Sequence, residues 1–356
     1  MSGPVISQSA AATTAARTPE PGLSRKERTR RALRREPVDR LPTQVNYTAA
    51  MGEMLANWFR VPVSRLDARL GNHLLRVDIS YTKKFSPSEP VAFDWWGAGW
   101  STQTEGYWHA WAPMSGNTDL EKYSWPDPLD LALLDRAGQI ISSGSDDRFV
   151  IPNFGFALFE RAWSLRGFDA LLVDLIDRPA WVEDLLDRIT DIQVALAKRF
   201  VALGVDGGYF GDDYGAQSSL LFSPRTWRQM FKPRLARMFA VFRESGLPVI
   251  LHSDGDIRPI LTDLVDIGVT ALNPIQPEVM DHEWLWRQYG NHLSFYGGIS
   301  TQDLLLRGDA NEIRAATEKC RSVLAPAGTG LLLGPSHRMQ SDISAQSVDI
   351  MLKAFQ

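Results

Sequence analysis

The sequence predicts an α/β fold of the (β/α)8, or TIM, barrel type, and three observations carry that reading. A chain of 356 residues suits one large barrel with insertions. In its second half, five apolar, β-prone stretches each run into a short polar cluster containing glycine or proline: Gly211-Asp212-Asp213-Tyr214-Gly215, His252-Ser253-Asp254-Gly255-Asp256, Asn273-Pro274-Ile275-Gln276-Pro277, Gly297-Gly298-Ile299-Ser300 and Gly334-Pro335-Ser336-His337. A helical pattern follows most of these clusters, and strands alternating with helices form a parallel sheet covered on both faces. In such sheets functional groups sit where strands end and loops open to solvent. Asp, His, Asn, Gln and Ser gather at those ends, where a core would not want them.

Composition narrows the function. The net charge of -4 is slight and speaks against a nucleic-acid or anionic-membrane surface. Cys320 is the lone cysteine, which rules out a disulfide framework and a multi-cysteine metal site within one chain. No apolar run is long enough to span a bilayer, so the cytoplasm is the default location.

Along the chain, residues 1–22 are rich in Ala, Ser, Thr and Pro without periodicity, and read as a disordered tail. Residues 23–356 form a single barrel. Ser24 and Glu27 have the spacing of a capping box and open a strongly basic helix that ends before Pro37. No aromatic residues interleave with its arginines, so it reads as a solvated helix closing the barrel bottom and not as a nucleic-acid arm. Residues 40–47 form the first strand, with Asn46 and Tyr47 at its carboxyl end as substrate-binding candidates. Residues 93–125 make an aromatic-rich insertion of loops or a hairpin, broken by Gly97, Gly99, Gly106 and Pro113. Its Trp95 and Trp96 either pack over the barrel mouth or wall a pocket for an aromatic, tetrapyrrole or quaternary-ammonium ligand. Asp94 is the charge there that could face inward. Residues 157–203 are amphipathic helices interrupted at Pro179, and Gly204 ends the last of them.

The polar clusters supply the site. His252 and Asp254 lie two apart on an extended strand and share one face. Joint ligation of one metal ion by the two is therefore geometrically reasonable. The competing reading is a hydrogen-bonded His–Asp pair acting as acid or base. Asp212 and Asp213 face opposite ways, so one reaches the pocket as a catalytic group while the other caps structure. Asn273, Gln276 and Ser300 are neutral hydrogen-bonding groups suited to orienting a substrate. His73, His109, His282 and His292 show no partner pattern and read as surface or packing residues.

Arg25 to Pro42, Gly211-Asp212-Asp213 followed by Ser223-Pro224, Leu251 to Ile257, Leu272 to Pro277, and Gly334-Pro335-Ser336-His337 together resemble the uroporphyrinogen decarboxylase superfamily, in order and spacing from about residue 24 onward. The resemblance implies a (β/α)8 barrel with its site at the carboxyl-end mouth, in a monomer or homodimer. It also implies one of two chemistries: cofactor-free decarboxylation of porphyrinogen acetates, or zinc-assisted methyl transfer involving a corrinoid protein. The decarboxylases carry an arginine-bearing Arg-Gln-Ala-Gly-Arg stretch after the first strand; here that place reads Asn46-Tyr47-Thr48-Ala49-Ala50. The thiol-methylating members hold zinc with a histidine and two cysteines. His252, Asp254 and His337 occupy those places here, so the resemblance implies two imidazoles and a carboxylate in place of the thiolate set, able to bind zinc in an open manner or to form a facial set for iron or manganese. On this resemblance the expected activity is methyl transfer from a small O- or N-methylated compound, such as a methoxyarene, to a corrinoid partner. The alternatives are a decarboxylase (a lyase) using Asp212 or Asp213 and His337 for proton handling, and a barrel that binds a tetrapyrrole or corrinoid without chemistry.

Overall fold

The computed structural model describes residues 22–356 apart from Tyr107 and Ser145, so the tail expected over residues 1–22 lies, but for Gly22, outside the described residues. Among the described residues, eleven strands form two sheets. In chain order they are β1 (Leu74–Val77), β2 (Lys84–Phe85), β3 (Val91–Phe93), β4 (Gly99–Ser101), β5 (His109–Trp111), β6 (Phe149–Phe154), β7 (Gly208–Gly211), β8 (Val249–His252), β9 (Ala271–Ile275), β10 (Ser294–Ile299) and β11 (Leu331–Pro335). The main sheet is seven-stranded and parallel throughout, in the order β1-β6-β7-β8-β9-β10-β11.

The expected (β/α)8 arrangement departs at the first strand. Residues 42–47 do not form a regular strand; they run beside β11 through single bridges, Thr43 with Leu333 and Tyr47 with Met339. On their other side, the Asn72 side chain bonds both polar groups of Val45, at 2.8 and 3.1 Å, and Gln44 Oε1 accepts from Leu74 N at 2.8 Å. Side-chain amides thus take the place of ladder bonds next to Pro42, which has no N–H to give.

Alternation sorts each strand into two cores. Leu74, Phe149, Ile151, Tyr209, Ile250, Ala271, Tyr296 and Leu332 form the inner cluster, with Leu33 of the first helix joining them from below. Val150, Phe210, Leu251, Leu272, Phe295, Leu331 and Leu333 face the other way, into the larger core shared with the helices. The next inward positions toward the carboxyl ends are Arg76, Asn153, Gly211, His252 and Asn273, so the strand period itself delivers polar groups to one end.

The basic helix Arg25–Leu33 closes the opposite end. Ser24 caps it by accepting from Glu27 N at 3.2 Å, but Glu27 turns to Arg30 and Arg31 and does not complete the box. Its basic residues are paired: Arg28 with Asp39 at 2.7 Å, Lys26 and Arg30 with Asp206, and Arg25 with Asp147. The helix is therefore an ion-paired base plate, more buried than the solvated helix expected. His73 is also buried there. Its Nε2 lies 3.1 Å from Arg28 Nη1, and burial together with that guanidinium lowers its pKa to about 4.

The aromatic insertion is a second, antiparallel sheet in the order β2-β3-β4-β5. It is anchored to the helix Phe159–Arg166 by Asp94 and Arg161, 2.6 Å apart. Pro179 starts the helix Pro179–Ala202, as expected, and Gly167 adds a second break before it. Among the described residues no helix is long and apolar enough to cross a membrane.

Candidate active site

A cavity of about 710 Å³ opens at the carboxyl ends of the parallel strands. Strand-end residues Arg76, Asp213, His252, Asn273 and His337 make its floor, and Trp95, Trp96, Trp100 and Trp108 of the insertion make part of its wall. Trp96 is buried while Trp108 is exposed at the rim. The turn between β4 and β5 reaches across the mouth, where Glu105 accepts from Ser341 Oγ at 2.6 Å and from Thr48 Oγ1.

At the floor, His252 Nδ1 lies 2.7 Å from Asn273 Oδ1, which also accepts from Tyr209 Oη at 3.0 Å. Asn273 Nδ2 donates to the Tyr296 carbonyl at 3.0 Å, and this fixes which way its amide points. An acceptor facing Nδ1 puts the imidazole proton there and leaves the Nε2 lone pair for the cavity. His337 repeats the arrangement, its Nδ1 facing the Arg338 carbonyl at 3.3 Å. Its Nε2 is 3.5 Å from Asp254 Oδ2, and His252 Nε2 is 3.9 Å from Asp254 Oδ1. Burial lowers the pKa of His337, opposed by the Asp254 charge.

Two loops place these groups. Gly215 and Gly255 pack backbone against backbone; a Cβ on Gly255, whose φ is +80°, would lie 2.3 Å from the Gly215 carbonyl carbon. That approach lets Asp254 N donate to Asp213 Oδ1 at 2.8 Å and Tyr214 N donate to Ser253 Oγ at 3.0 Å. Asp213 then stands 3.8 Å from His252 Nε2. Burial, with the Asp254 charge, raises its pKa to about 6.

His252, Asp254 and His337 offer ligand atoms that all lie within 4.8 Å of one another. Asp254 Oδ1 is covered and has no hydrogen-bond partner. A covered oxygen without a donor costs about 1–3 kcal/mol or more, and two imidazole lone pairs face the same space. Oxygen and nitrogen acceptors converging without a donor suit a divalent cation, so the residues fit the metal that the resemblance implies.

Not every expected site residue reaches the cavity. Asp212 is fully buried, capping Phe159 N and Glu160 N at 3.0 and 2.8 Å and accepting from Tyr214 Oη. Burial raises its pKa to about 6, but its oxygens are occupied and it holds the start of the helix Phe159–Arg166. Tyr47 donates to Asp67 at 2.9 Å and packs on Gly52, away from the floor. Gln276 accepts from Gly255 N at 2.8 Å and supports the His252 loop from behind. Ser300 caps Asp303 N and Leu304 N and donates to Glu278. Asp94 lines the cavity, as read, but its oxygens are taken by Trp96 N, Ala98 N, Trp100 Nε1 and Arg161. Asn46 does line the cavity, donating to Tyr296 Oη at 2.6 Å.

Sequence reasoning missed Arg76 and Glu160, both of which line the cavity. Burial, then the charges of Asp213, Asp212 and Asp254, holds Glu160 well above the usual carboxylate range. For Arg76 the signal was available: it is two residues from the inward Leu74 in an otherwise apolar strand. For Glu160 there was none, because its approach depends on Asp212 capping a distant helix.

Comparison with known proteins adds the family. The family described as uroporphyrinogen decarboxylase (URO-D) matches residues 110–356. A uroporphyrinogen decarboxylase from Methylococcus capsulatus is 23% identical over 259 residues, covering 68% of this chain and 69% of that protein. A solved methyltransferase from Methanosarcina mazei superposes with a TM-score of 0.71 at 20% identity, covering 94% of this chain and 98% of the other. At that identity the likeness shows a shared fold.

Proposed function

The chain belongs to the uroporphyrinogen decarboxylase family, and on that premise we propose that it is a methyltransferase moving a methyl group from a small O- or N-methylated compound, such as a methoxyarene, to a corrinoid partner protein. The proposal includes a (β/α)8 barrel in which residues 42–47 take the eighth place. The observation that carries it is the convergence of His252, Asp254 and His337 around a covered, unpartnered carboxylate oxygen. These three would hold a divalent ion, zinc by the character of the donor set. When bound, such an ion polarises the ether oxygen or amine nitrogen of the substrate, which makes the demethylated fragment a better leaving group.

The chain's own groups do the rest. Asn273 fixes the His252 tautomer, and Tyr209 and Tyr296 fix Asn273. Asp213, raised toward the protonated form and close to His252, is placed to give a proton to the departing oxygen or nitrogen. Trp95, Trp96, Trp100 and Phe156 supply flat apolar walls for a ring.

One observation favours a second reading. Glu160 and Asp213 both have raised pKa values, as a decarboxylase needs to deliver the proton that replaces CO2. Against it, the stretch Asn46 to Ala50 has no arginine for a multiply carboxylated porphyrinogen.

The test is direct. Zinc-loaded protein, a methoxylated aromatic compound and free cob(I)alamin should yield methylcobalamin, read by absorbance, and His337→Ala should abolish it. Release of CO2 from a carboxylic acid without methyl transfer would instead establish the second reading.

A further inference from the structure

Strand β1 carries one charge on the inner face of the sheet. Leu74 belongs to the inner core, and Arg76, two residues on, points the same way at the level where core gives over to cavity. Its guanidinium carbon lies 4.0 Å from the centroid of the Tyr209 ring. Stacking of this kind uses the face of the guanidinium, whereas its N–H donors lie in the plane. Two of those donors are unmatched: Nε and Nη2 are covered without a hydrogen-bond partner, the guanidinium's polar neighbours are the Tyr209 and Tyr296 hydroxyls, and among the described residues Arg76 forms no ion pair.

The arginines buried more fully than the half-buried Arg76 are treated differently. Arg28 has Asp39, Arg161 has Asp94 and Arg234 has Asp187, each within 2.8 Å. Arginine does not give up its proton in proteins, so the charge of Arg76 is permanent. A covered cation is costly to keep without a counter-charge, and the planar fork matches a carboxylate best.

Geometry locates the other end of the ligand. The Tyr209 ring neighbours both groups: the Arg76 guanidinium carbon is 4.0 Å and the His252 ring centroid 6.3 Å from its centroid, so the two lie no farther apart than the sum of these distances. One benzene ring with substituents at opposite ends bridges such a span. Trp95, Trp100 and Phe156 line the same space. Arg76 also lies outside the stretch that matches the family, which begins at residue 110.

We infer that Arg76 is a carboxylate-binding residue, and that the substrate seats a carboxylate on it while the methylated group faces His252, Asp254 and His337. This deepens the reading of the cavity as a methyl-donor site and rests on it. The substrate class becomes a methoxylated aromatic acid, not a neutral methoxyarene.

Calorimetric titration of the full chain with 4-methoxybenzoate and with uncharged 4-methoxybenzamide tests it, because ring and ether are the same in both. Wild type is expected to bind the acid at least tenfold more tightly than the amide. Arg76→Met should weaken acid binding at least tenfold and leave the amide unchanged, and Arg76→Lys should recover part of the loss. If thermal melting shows that Arg76→Met does not fold, Arg76→Lys carries the test, with a several-fold loss confined to the acid. The inference is overturned if wild type binds both probes equally, prefers the amide or binds neither at millimolar concentration. It is also overturned if the variants keep the preference of wild type. Binding is read without turnover, so acid binding that depends on Arg76 in a protein transferring no methyl group would sink only the transfer reading. Methyl transfer without an acid preference would sink only this one.

Discussion

The two ends of the parallel sheet treat charge in opposite ways. At the amino end, Arg25, Lys26, Arg28 and Arg30 each meet a carboxylate, and His73 spends its ring nitrogens on Arg28 and on the carbonyls of Gly71 and Thr43. At the carboxyl end, Asp254 Oδ1 and two nitrogens of Arg76 are covered and unpartnered, and Glu160 is pushed toward its neutral form. Saturated charges hold a fold together. Unsaturated ones in a cavity wait for a ligand, and the stability they forgo is the sign of function.

The comparison can be broken by mutation, most forcefully at the unsaturated end. Asp254→Asn should lower metal affinity by on the order of 10²-fold or more, while the metal-free variant melts no lower than wild type, because an unpartnered charge has been removed. A clear fall in the melting temperature of the metal-free form would mean that Asp254 is structural after all. Asn273→Ala comes next. Without its amide the His252 tautomer is free, and metal affinity should fall about 10–100-fold by titration.

At the saturated end the same kind of change should cost stability and spare binding. Arg28→Ala strands Asp39, whose pKa is lowered chiefly by its hydrogen bonds from Arg28. The loss should be about 2–4 kcal/mol by chemical denaturation, with metal affinity unchanged. His73 gives that end its pH dependence. Its folded pKa of about 4 lies below the ordinary value near 6.5, so the unfolded chain binds the proton first as pH falls. Stability is therefore full above about pH 6.5 and declines toward about pH 4, and His73→Gln should flatten that slope. The smallest effect belongs to solvent: Lys353→Ala, which breaks an exposed pair with Asp349, should change stability by less than about 0.5 kcal/mol.

Much of this contrast was legible in the sequence where one period governs. Apolar runs ending in His252, Asn273 and Pro335 placed the strands, and the two-residue spacing put His252 and Asp254 on one side. What escaped depended on partners far along the chain. Gln276, Ser300 and Asp212 carry the polarity of site residues, yet their oxygens are taken by Gly255, Leu304 and Phe159. Tyr47 sits at the expected strand end but turns to Asp67. The strand expected over residues 40–47 keeps backbone bonds to Leu333 and Met339, but toward β1 the side chains of Gln44 and Asn72 take ladder places, a substitution that no periodicity reveals. Arg76 carried a signal that went unread, a single charge two residues beyond Leu74 in a strand otherwise made of Leu74, Leu75 and Val77.

Zinc titration into metal-free protein, followed by calorimetry, tests the central claim most directly, with wild type and His337→Ala measured side by side. The account predicts one ion per wild-type chain, bound through a neutral His252 and His337 and the Asp254 carboxylate, and no binding at that site in the variant. A wild-type protein that binds no divalent ion at millimolar concentration, yet still turns over substrate, would contradict it.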